Sequence, residues 1–132
     1  MEELSKTNPS GLEPIRKLAQ NNICNAFGRS GIGGRKENQD SYGGLSIDSA
    51  VLLTVCDGMG GMAGGQTASR IAVTEIIQNL AEKKEGQTWE DAIRYSVEAA
   101  NAAIYRRAMD EPKLRGMGTT ATVLVITDKA AY

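Results

Sequence analysis

The sequence predicts an α+β domain, mainly because of the order of its segments. Apolar, strand-like segments lie before residue 57 and after residue 118, and two helical segments follow one another between them. A regular βαβ chain would place a strand after each helix, so this order favours α+β over a doubly wound parallel sheet. The 132 residues are enough for one small domain or for part of a larger one.

The first 21 residues predict a mobile extension, because they are polar and contain three breakers of regular structure, Pro9, Gly11 and Pro14. A short helical turn is expected within this extension, near Ile15 to Ala19. The domain is expected to occupy residues 22–132. Its first strand is predicted at "ICNAFGR", which begins at Ile23.

Two segments precede the helices. Residues 30–44, "SGIGGRKENQDSYGG", have the composition of a loop, although Asp40 to Tyr42 is expected to touch a strand. Residues 51–56, "VLLTVC", form a short, continuous and partly β-branched run. Such a run is typical of a strand that is buried on both faces.

The first helix is predicted from apolar residues at helical spacing. Four of them recur at every fourth position and three widen the stripe: Ala68, Ala72, Ile76 and Leu80, with Ile71, Val73 and Ile77. Lys83 and Lys84 suit the end of this helix, and Gly86 is expected to cap it in the left-handed conformation.

The second helix is predicted to begin at Thr88 and Asp91, which have the spacing of a capping box. One apolar face follows, made of Trp89, Ile93, Val97, Ala100, Ile104 and Ala108. Pro112 and Gly116 mark the end of the helix. Residues 119–127, "TTATVLVIT", then predict a second buried strand.

The composition excludes several kinds of chemistry. The chain has no histidine, so it cannot by itself supply a Ser-His-Asp or Cys-His catalytic set or an imidazole zinc site. A net charge of −1 argues against general nucleic-acid binding. No apolar run is long enough to span a membrane, and no signal peptide is visible. With only Cys24 and Cys56 as thiols, we expect a cytoplasmic protein without a disulfide framework.

Asp57 comes directly after the predicted buried strand, and five of the next eight residues are glycine. An Asp-Gly pair is in itself a common turn. A phosphate loop of the GxxxxGK[ST] type would start at Gly60, but Gln66 stands where its lysine is required. An aspartyl-nucleophile phosphatase needs a second acid two positions on, where this chain has Met59.

A cysteine phosphatase also fails, because it requires an arginine six positions after the cysteine. That position is Ser30 for Cys24 and Met62 for Cys56. A metal site remains: a carboxylate at the end of a strand can bridge two hard cations such as Mg²⁺ or Mn²⁺. A glycine after it, Gly58, would let a backbone carbonyl approach the metal.

A second motif, "GRKENQDSYGG", supplies an arginine and another carboxylate. Arg35 beside Lys36 and Glu37 is either a solvated surface charge or a fork-shaped cation that grips a phosphoryl group. Asp40 is either an ordinary turn residue or a group that orders water around metals.

Three motifs in this order, "RKENQDS", "VLLTVCDGMGGMAGGQTAS" and "GMGTTATVLVI", closely resemble the bacterial PPM protein phosphatases, also called protein phosphatase 2C. The resemblance covers about residues 23–128. It implies an α-β-β-α sandwich, in which two antiparallel sheets are flanked by helix pairs. It also implies hydrolysis of phosphoserine or phosphothreonine in proteins, with two Mn²⁺ or Mg²⁺ ions activating a water.

The resemblance also implies residue roles. Arg35 would bind the substrate phosphate, and Asp57 would bridge the two metals. The Gly58 carbonyl would bind one metal, and Asp40 would act in the metal shell, largely through water. Thr119 and Thr120 would be structural.

Two features depart from the family pattern. Gln39 stands where many relatives have glutamate, which weakens an expected outer contact to one metal. The family domain is also roughly twice this long, and this chain ends before its later metal ligands. We therefore expect the N-terminal half of a catalytic domain, inactive alone and completed by a C-terminal half. The alternative is a truncated, non-catalytic regulatory or binding module on the same half-fold.

Overall fold

The computed structural model describes residues 11–61 and 63–132. Within them lie two helices, a four-stranded antiparallel sheet and a two-stranded antiparallel sheet. The elements in chain order are β1 (Arg16–Gln20), β2 (Asn25–Gly28), β3 (Asp40–Ile47), β4 (Ala50–Met59), α1 (Gly64–Ala81), α2 (Trp89–Asp110), a 3₁₀ turn (Pro112–Leu114), β5 (Gly118–Thr119) and β6 (Thr122–Ile126). The predicted α+β class is confirmed.

Strand β4 is the centre of the larger sheet. It pairs with β3 along one edge and with β5 and β6 along the other. The β3–β4 register runs from Ile47 opposite Ala50 to Asp40 opposite Asp57, so a two-residue turn connects the strands. This short turn fixes which residues of the two strands stand opposite each other.

One face of this sheet is covered by α1, and α2 packs in turn against α1. The core is formed by alternate residues of β4 and by one face of α1: Ala50, Leu52 and Cys56, with Ala68, Ala72, Ile76 and Leu80. Helix α2 contributes small residues such as Ala92 and Ala100, which allow the two helices to approach closely. The period-four pattern of α1 therefore predicted its buried face correctly.

The opposite face of the sheet is only partly covered. The β1–β2 hairpin packs on it around Val51, which is fully buried and clusters with the buried Ala19 and Ala26. Farther along β4, Val55 is 56% exposed. The strand is thus buried on both faces only at its beginning, and the prediction of burial on both faces over residues 51–56 is wrong for its second half.

Two sequence predictions in the first half of the chain need correction. Residues 16–20 form strand β1 and not a helical turn, because their backbone pairs with β2; residues 1–10 lie outside the described part of the chain. Asp40 begins a strand that continues through Gly43 and Gly44, which composition had assigned to a loop. A Cβ at Gly43 would lie 2.6 Å from a methyl group of Val73 in α1, so a larger residue there would require Val73 to shift.

The helices are confirmed, but their details differ. Helix α1 ends at Ala81 with Glu82 as its cap, so the expected capping by Gly86 is wrong, although Gly86 has a φ of +79° in the following turn. The Thr88 side chain accepts a hydrogen bond from the Asp91 amide, as the capping box predicted. Val97, placed on the buried face, is 38% exposed.

The predicted strand at residues 119–127 is divided into β5 and β6. Only Val125 in β6 is fully buried, whereas Thr122 and Leu124 are exposed. The expectation of a fully buried strand is therefore wrong. Within residues 11–61 and 63–132, neither helix has the length and apolar character needed to cross a membrane.

Candidate metal and phosphate site

Two carboxylates lie side by side at one end of the central sheet. Asp40, the first residue of β3, stands directly opposite Asp57 of β4. Directly opposed residues of an antiparallel pair project from the same face, here the face that α1 does not cover. The sequence suggested that Asp57 follows the end of its strand. It lies within the strand instead, because β4 continues to Met59.

Arg35 lines the same small cavity as the two carboxylates. This cavity has a volume of about 140 Å³, and its lining includes Arg35, Asp40 and Asp57. The Arg35 guanidinium forms no hydrogen bond or salt bridge with any residue in the described ranges. The three side chains singled out by the sequence are therefore neighbours.

The electrostatics of the site follow from the carboxylate pair. The pKa of Asp40 is raised above its usual value, chiefly because the carboxyl is partly desolvated and also because the Asp57 carboxyl lies beside it. Arg35 acts in the opposite direction and lowers the pKa of Asp40. A cation between the carboxylates would remove the repulsion that makes the Asp40 anion unfavourable.

The backbone around both carboxylates is held by nearby polar groups. Thr120 holds the Asp57 backbone: the Asp57 amide donates to the Thr120 hydroxyl at 3.1 Å, and the Thr120 amide and hydroxyl donate to the Asp57 carbonyl at 2.9 Å and 3.5 Å. The Asn38 side chain accepts from the Asp40 amide at 3.1 Å and donates to the Ser30 hydroxyl at 2.8 Å. The two aspartates are therefore placed by rigid surroundings.

Gly58 has a reason to be glycine that differs from the predicted one. It is buried and faces α1, and a Cβ at this position would overlap the Gly65 carbonyl oxygen and lie 2.7 Å from the Gln39 carbonyl oxygen. The absence of a side chain thus lets the first turn of α1 pack against β4. Contact between the Gly58 carbonyl and a metal stays a prediction.

Gln39 has contacts that the sequence did not reveal. Its side-chain amide nitrogen donates to the Gly60 carbonyl at 3.0 Å, and its backbone carbonyl accepts from the Gly58 amide at 3.1 Å. No local pattern indicated these bonds, because they join two segments about twenty residues apart. The Asn38 contacts had a weak signal, since Asn commonly binds the backbone two residues on.

The residues present suit a hard metal ion in part. Carboxylate oxygens are ligands that Mg²⁺ and Mn²⁺ prefer, and Asp40 and Asp57 converge on one cavity. Among residues 11–61 and 63–132, however, no three or more Asp, Glu or Cys side chains cluster closely enough to form a metal site. The described residues could supply only part of the ligands of a metal centre.

Comparison with known families decides the classification. Residues 27–132 match the family described as Protein phosphatase 2C. The chain belongs to this family. It is 37% identical over 92 residues to the serine/threonine protein phosphatase PstP of Mycobacterium tuberculosis, an alignment that covers 69% of this chain and 17% of PstP. It is 32% identical over 110 residues to the protein phosphatase PhpP of Streptococcus pneumoniae, covering 76% of this chain and 42% of PhpP.

Solved structures of the protein phosphatase 2C family share the fold. The catalytic domain of PstP in complex with two manganese ions superposes with a TM-score of 0.58 at 28% identity, covering 88% of this chain and 44% of that domain. The phosphatase Stp1 from Staphylococcus aureus gives a TM-score of 0.63 at 27% identity, covering 71% of this chain and 38% of Stp1. The chain thus spans less than half the length of these relatives.

Proposed function

We propose that this chain forms the N-terminal part of a metal-dependent phosphatase that hydrolyses phosphoserine or phosphothreonine in proteins. The observation that carries the proposal is the single cavity shared by Arg35, Asp40 and Asp57. Membership of the protein phosphatase 2C family supports the same reaction class. Such an enzyme would act in the cytoplasm, and its partner would be a phosphorylated protein substrate.

Each side chain has a distinct proposed role. Asp57 would hold the Mn²⁺ or Mg²⁺ ions, and the adjacent Gly58 carbonyl would bind one of them. Asp40 would accept hydrogen bonds from water around the ions. Arg35 binds the substrate phosphate through paired N–H groups. When bound, the metals supply a water of lowered pKa for attack on phosphorus and neutralise the developing charge.

The activity requires more than the residues described above. Mg²⁺ and Mn²⁺ give up their water reluctantly and bind weakly unless several anionic oxygens converge. Three carboxylates line this cavity, those of Glu37, Asp40 and Asp57, but within residues 11–61 and 63–132 no three acidic or thiol side chains cluster closely enough to hold a metal. We therefore propose that the isolated chain binds these ions weakly and does not turn over phosphoprotein, and that a C-terminal segment like that of the longer relatives supplies the remaining ligands.

The first experiment is to read the gene beyond the codon for Tyr132. A continuing frame that encodes further aspartates would favour the phosphatase. A stop codon with no second half nearby would favour the alternative, a non-catalytic regulatory or binding module. Calorimetry with Mn²⁺ and a phosphopeptide release assay on the isolated chain complete the test. If the chain alone bound two Mn²⁺ ions tightly and released phosphate in a metal-dependent reaction, the proposal that a C-terminal segment supplies the remaining ligands would be refuted.

The role assignment is tested in the chain together with any downstream sequence the gene encodes. Asp57→Asn should abolish metal-dependent hydrolysis, because a neutral amide cannot balance two dications. Arg35→Ala should raise KM for the phosphopeptide while Mn²⁺ binding is retained. Lys36→Ala is the matched control, since it removes a neighbouring exposed cation that does not line the cavity. An Arg35→Ala enzyme with wild-type kcat/KM would overturn the phosphate-binding role.

A further inference from the structure

The Gly58–Met59 peptide is held from both sides by one residue. The Gln39 backbone carbonyl accepts from the Gly58 amide at 3.1 Å, and the Gln39 side-chain amide donates to the Gly60 carbonyl at 3.0 Å. The two bonds bracket the peptide whose carbonyl is the proposed metal ligand. We call this pair of bonds the Gln39 clamp.

The side-chain bond of the clamp requires an N–H donor. Its acceptor is a backbone carbonyl, that of Gly60, which also receives the Gly65 amide at 3.4 Å. Both acceptor positions of this oxygen are therefore used. A carboxylate at position 39 would place oxygen against oxygen, and it would also lie near the Glu37 carboxylate, whose oxygen is 3.4 Å from the Gln39 nitrogen.

The clamp also supports the first turn of α1. A Cβ at Gly65 would lie 2.8 Å from the Gln39 side-chain oxygen, so the helix begins directly on the amide group. Gly60, with a φ of +135°, makes the sharp change of direction between β4 and the helix. Removal of the amide would release the Gly60 carbonyl and loosen the segment that joins Asp57 to α1.

We propose that Gln39 is a positioning residue, which orients the Gly58 carbonyl toward the metal centre by fixing the backbone on both sides of it. This inference rests on the proposed function and deepens it. It differs from the role implied by the family resemblance, in which position 39 makes an outer contact to one metal. The two roles are separable, because the clamp acts in the protein without metal and an outer contact to a metal does not.

The test is amide hydrogen exchange on metal-free protein. Gln39→Met keeps the length of the side chain without its amide, and Gln39→Asn keeps an amide that is too short to reach Gly60. Loss of one neutral hydrogen bond changes a local opening equilibrium by roughly 3- to 10-fold. We expect exchange of the Gly65 amide to accelerate by about this factor in both variants, while amides of the β4–β6 pairs are unchanged. Gln78→Met, at an exposed position of α1, is the matched control.

The second readout is Mn²⁺ affinity by calorimetry, in the chain with any downstream sequence the gene encodes. Both Gln39 variants should bind Mn²⁺ about 3- to 10-fold more weakly than wild type, and Gln78→Met should not. Weaker Mn²⁺ binding with unchanged exchange would assign Gln39 to the metal and overturn the clamp. Unchanged exchange and affinity, or acceleration throughout the sheet, would overturn it as well. Failure of the wild-type protein to bind Mn²⁺ would instead refute the proposed function.

Discussion

Substitution of Gly58 by alanine tests the close approach between β4 and α1, on which the site geometry depends. A Cβ at this position would overlap the Gly65 carbonyl oxygen and lie 2.7 Å from that of Gln39. Both obstacles are backbone atoms, which cannot rotate away as a side chain could. Since φ at Gly58 is not positive, the cost of the substitution is steric.

The magnitude follows from the size of the overlap. Overpacking of a close-packed interior typically costs about 1–3 kcal/mol. Relief here requires a shift of the whole first turn of α1 or of the end of β4, so we expect a loss of about 3 kcal/mol in the free energy of unfolding. For a domain of this size, that loss corresponds to a decrease of about 10 °C in Tm.

Urea unfolding in metal-free buffer, followed by far-UV circular dichroism, measures this loss as a lower midpoint at unchanged slope. Gly61→Ala is the matched control: φ is not positive at Gly61, and none of the described atoms would lie within 4 Å of its Cβ. The control should be neutral or stabilising by about 0.5 kcal/mol, because alanine restricts the unfolded chain. A Gly58→Ala protein with the wild-type midpoint would refute the steric argument.

Three further predictions concern the sheet, the thiols and the core. Asp40→Asn should raise the free energy of unfolding in chelator by about 0.2–1 kcal/mol, because it removes a cross-strand like-charge pair; a lower midpoint in urea would contradict this. Iodoacetamide should modify the half-buried Cys24 before the buried Cys56, since burial raises the pKa of the Cys56 thiol. Peptide mapping measures the two rates, and equal rates would count against the argument. Ile76→Ala, at a fully buried position, should cost about 2–5 kcal/mol, and Val97→Ala, at a position 38% exposed, less than about 1 kcal/mol; equal losses in thermal unfolding would refute this assignment of the core.

The sequence predicted the helices better than the strands, because the helical period is a local signal. The spacing of apolar residues located the buried face of α1, and Thr88 located the start of α2. The strands depend on partners that are distant in the chain. Strand β1 looked like a breaker-rich extension because its pairing with β2 leaves no pattern in its own residues. Gly43 looked like a loop residue because its contact with Val73 is visible only in three dimensions.

The sequence predicted which side chains of the site lie together, but not the backbone contacts that hold them in place. Carboxylate and arginine side chains identified Asp57, Asp40 and Arg35, and the fold brings all three to one cavity. The role of Gln39 was not predictable, because it depends on hydrogen bonds between segments that the sequence does not relate. Gly58 was recognised as significant for a different reason, since the sequence could not reveal that α1 packs against it.

The position of the carboxylate pair supports the proposed cation site. Like charges directly opposite each other destabilise an antiparallel pair, and Asp40 and Asp57 occupy such positions. The β3–β4 register leaves no freedom to separate them, because a slip of one residue would turn every core side chain of β4 to the other face. Thr120 further holds the Asp57 backbone in place. Such a pair is destabilising while both carboxyl groups are ionised, and a divalent cation between their oxygens would relieve the repulsion, in agreement with the proposed metal site.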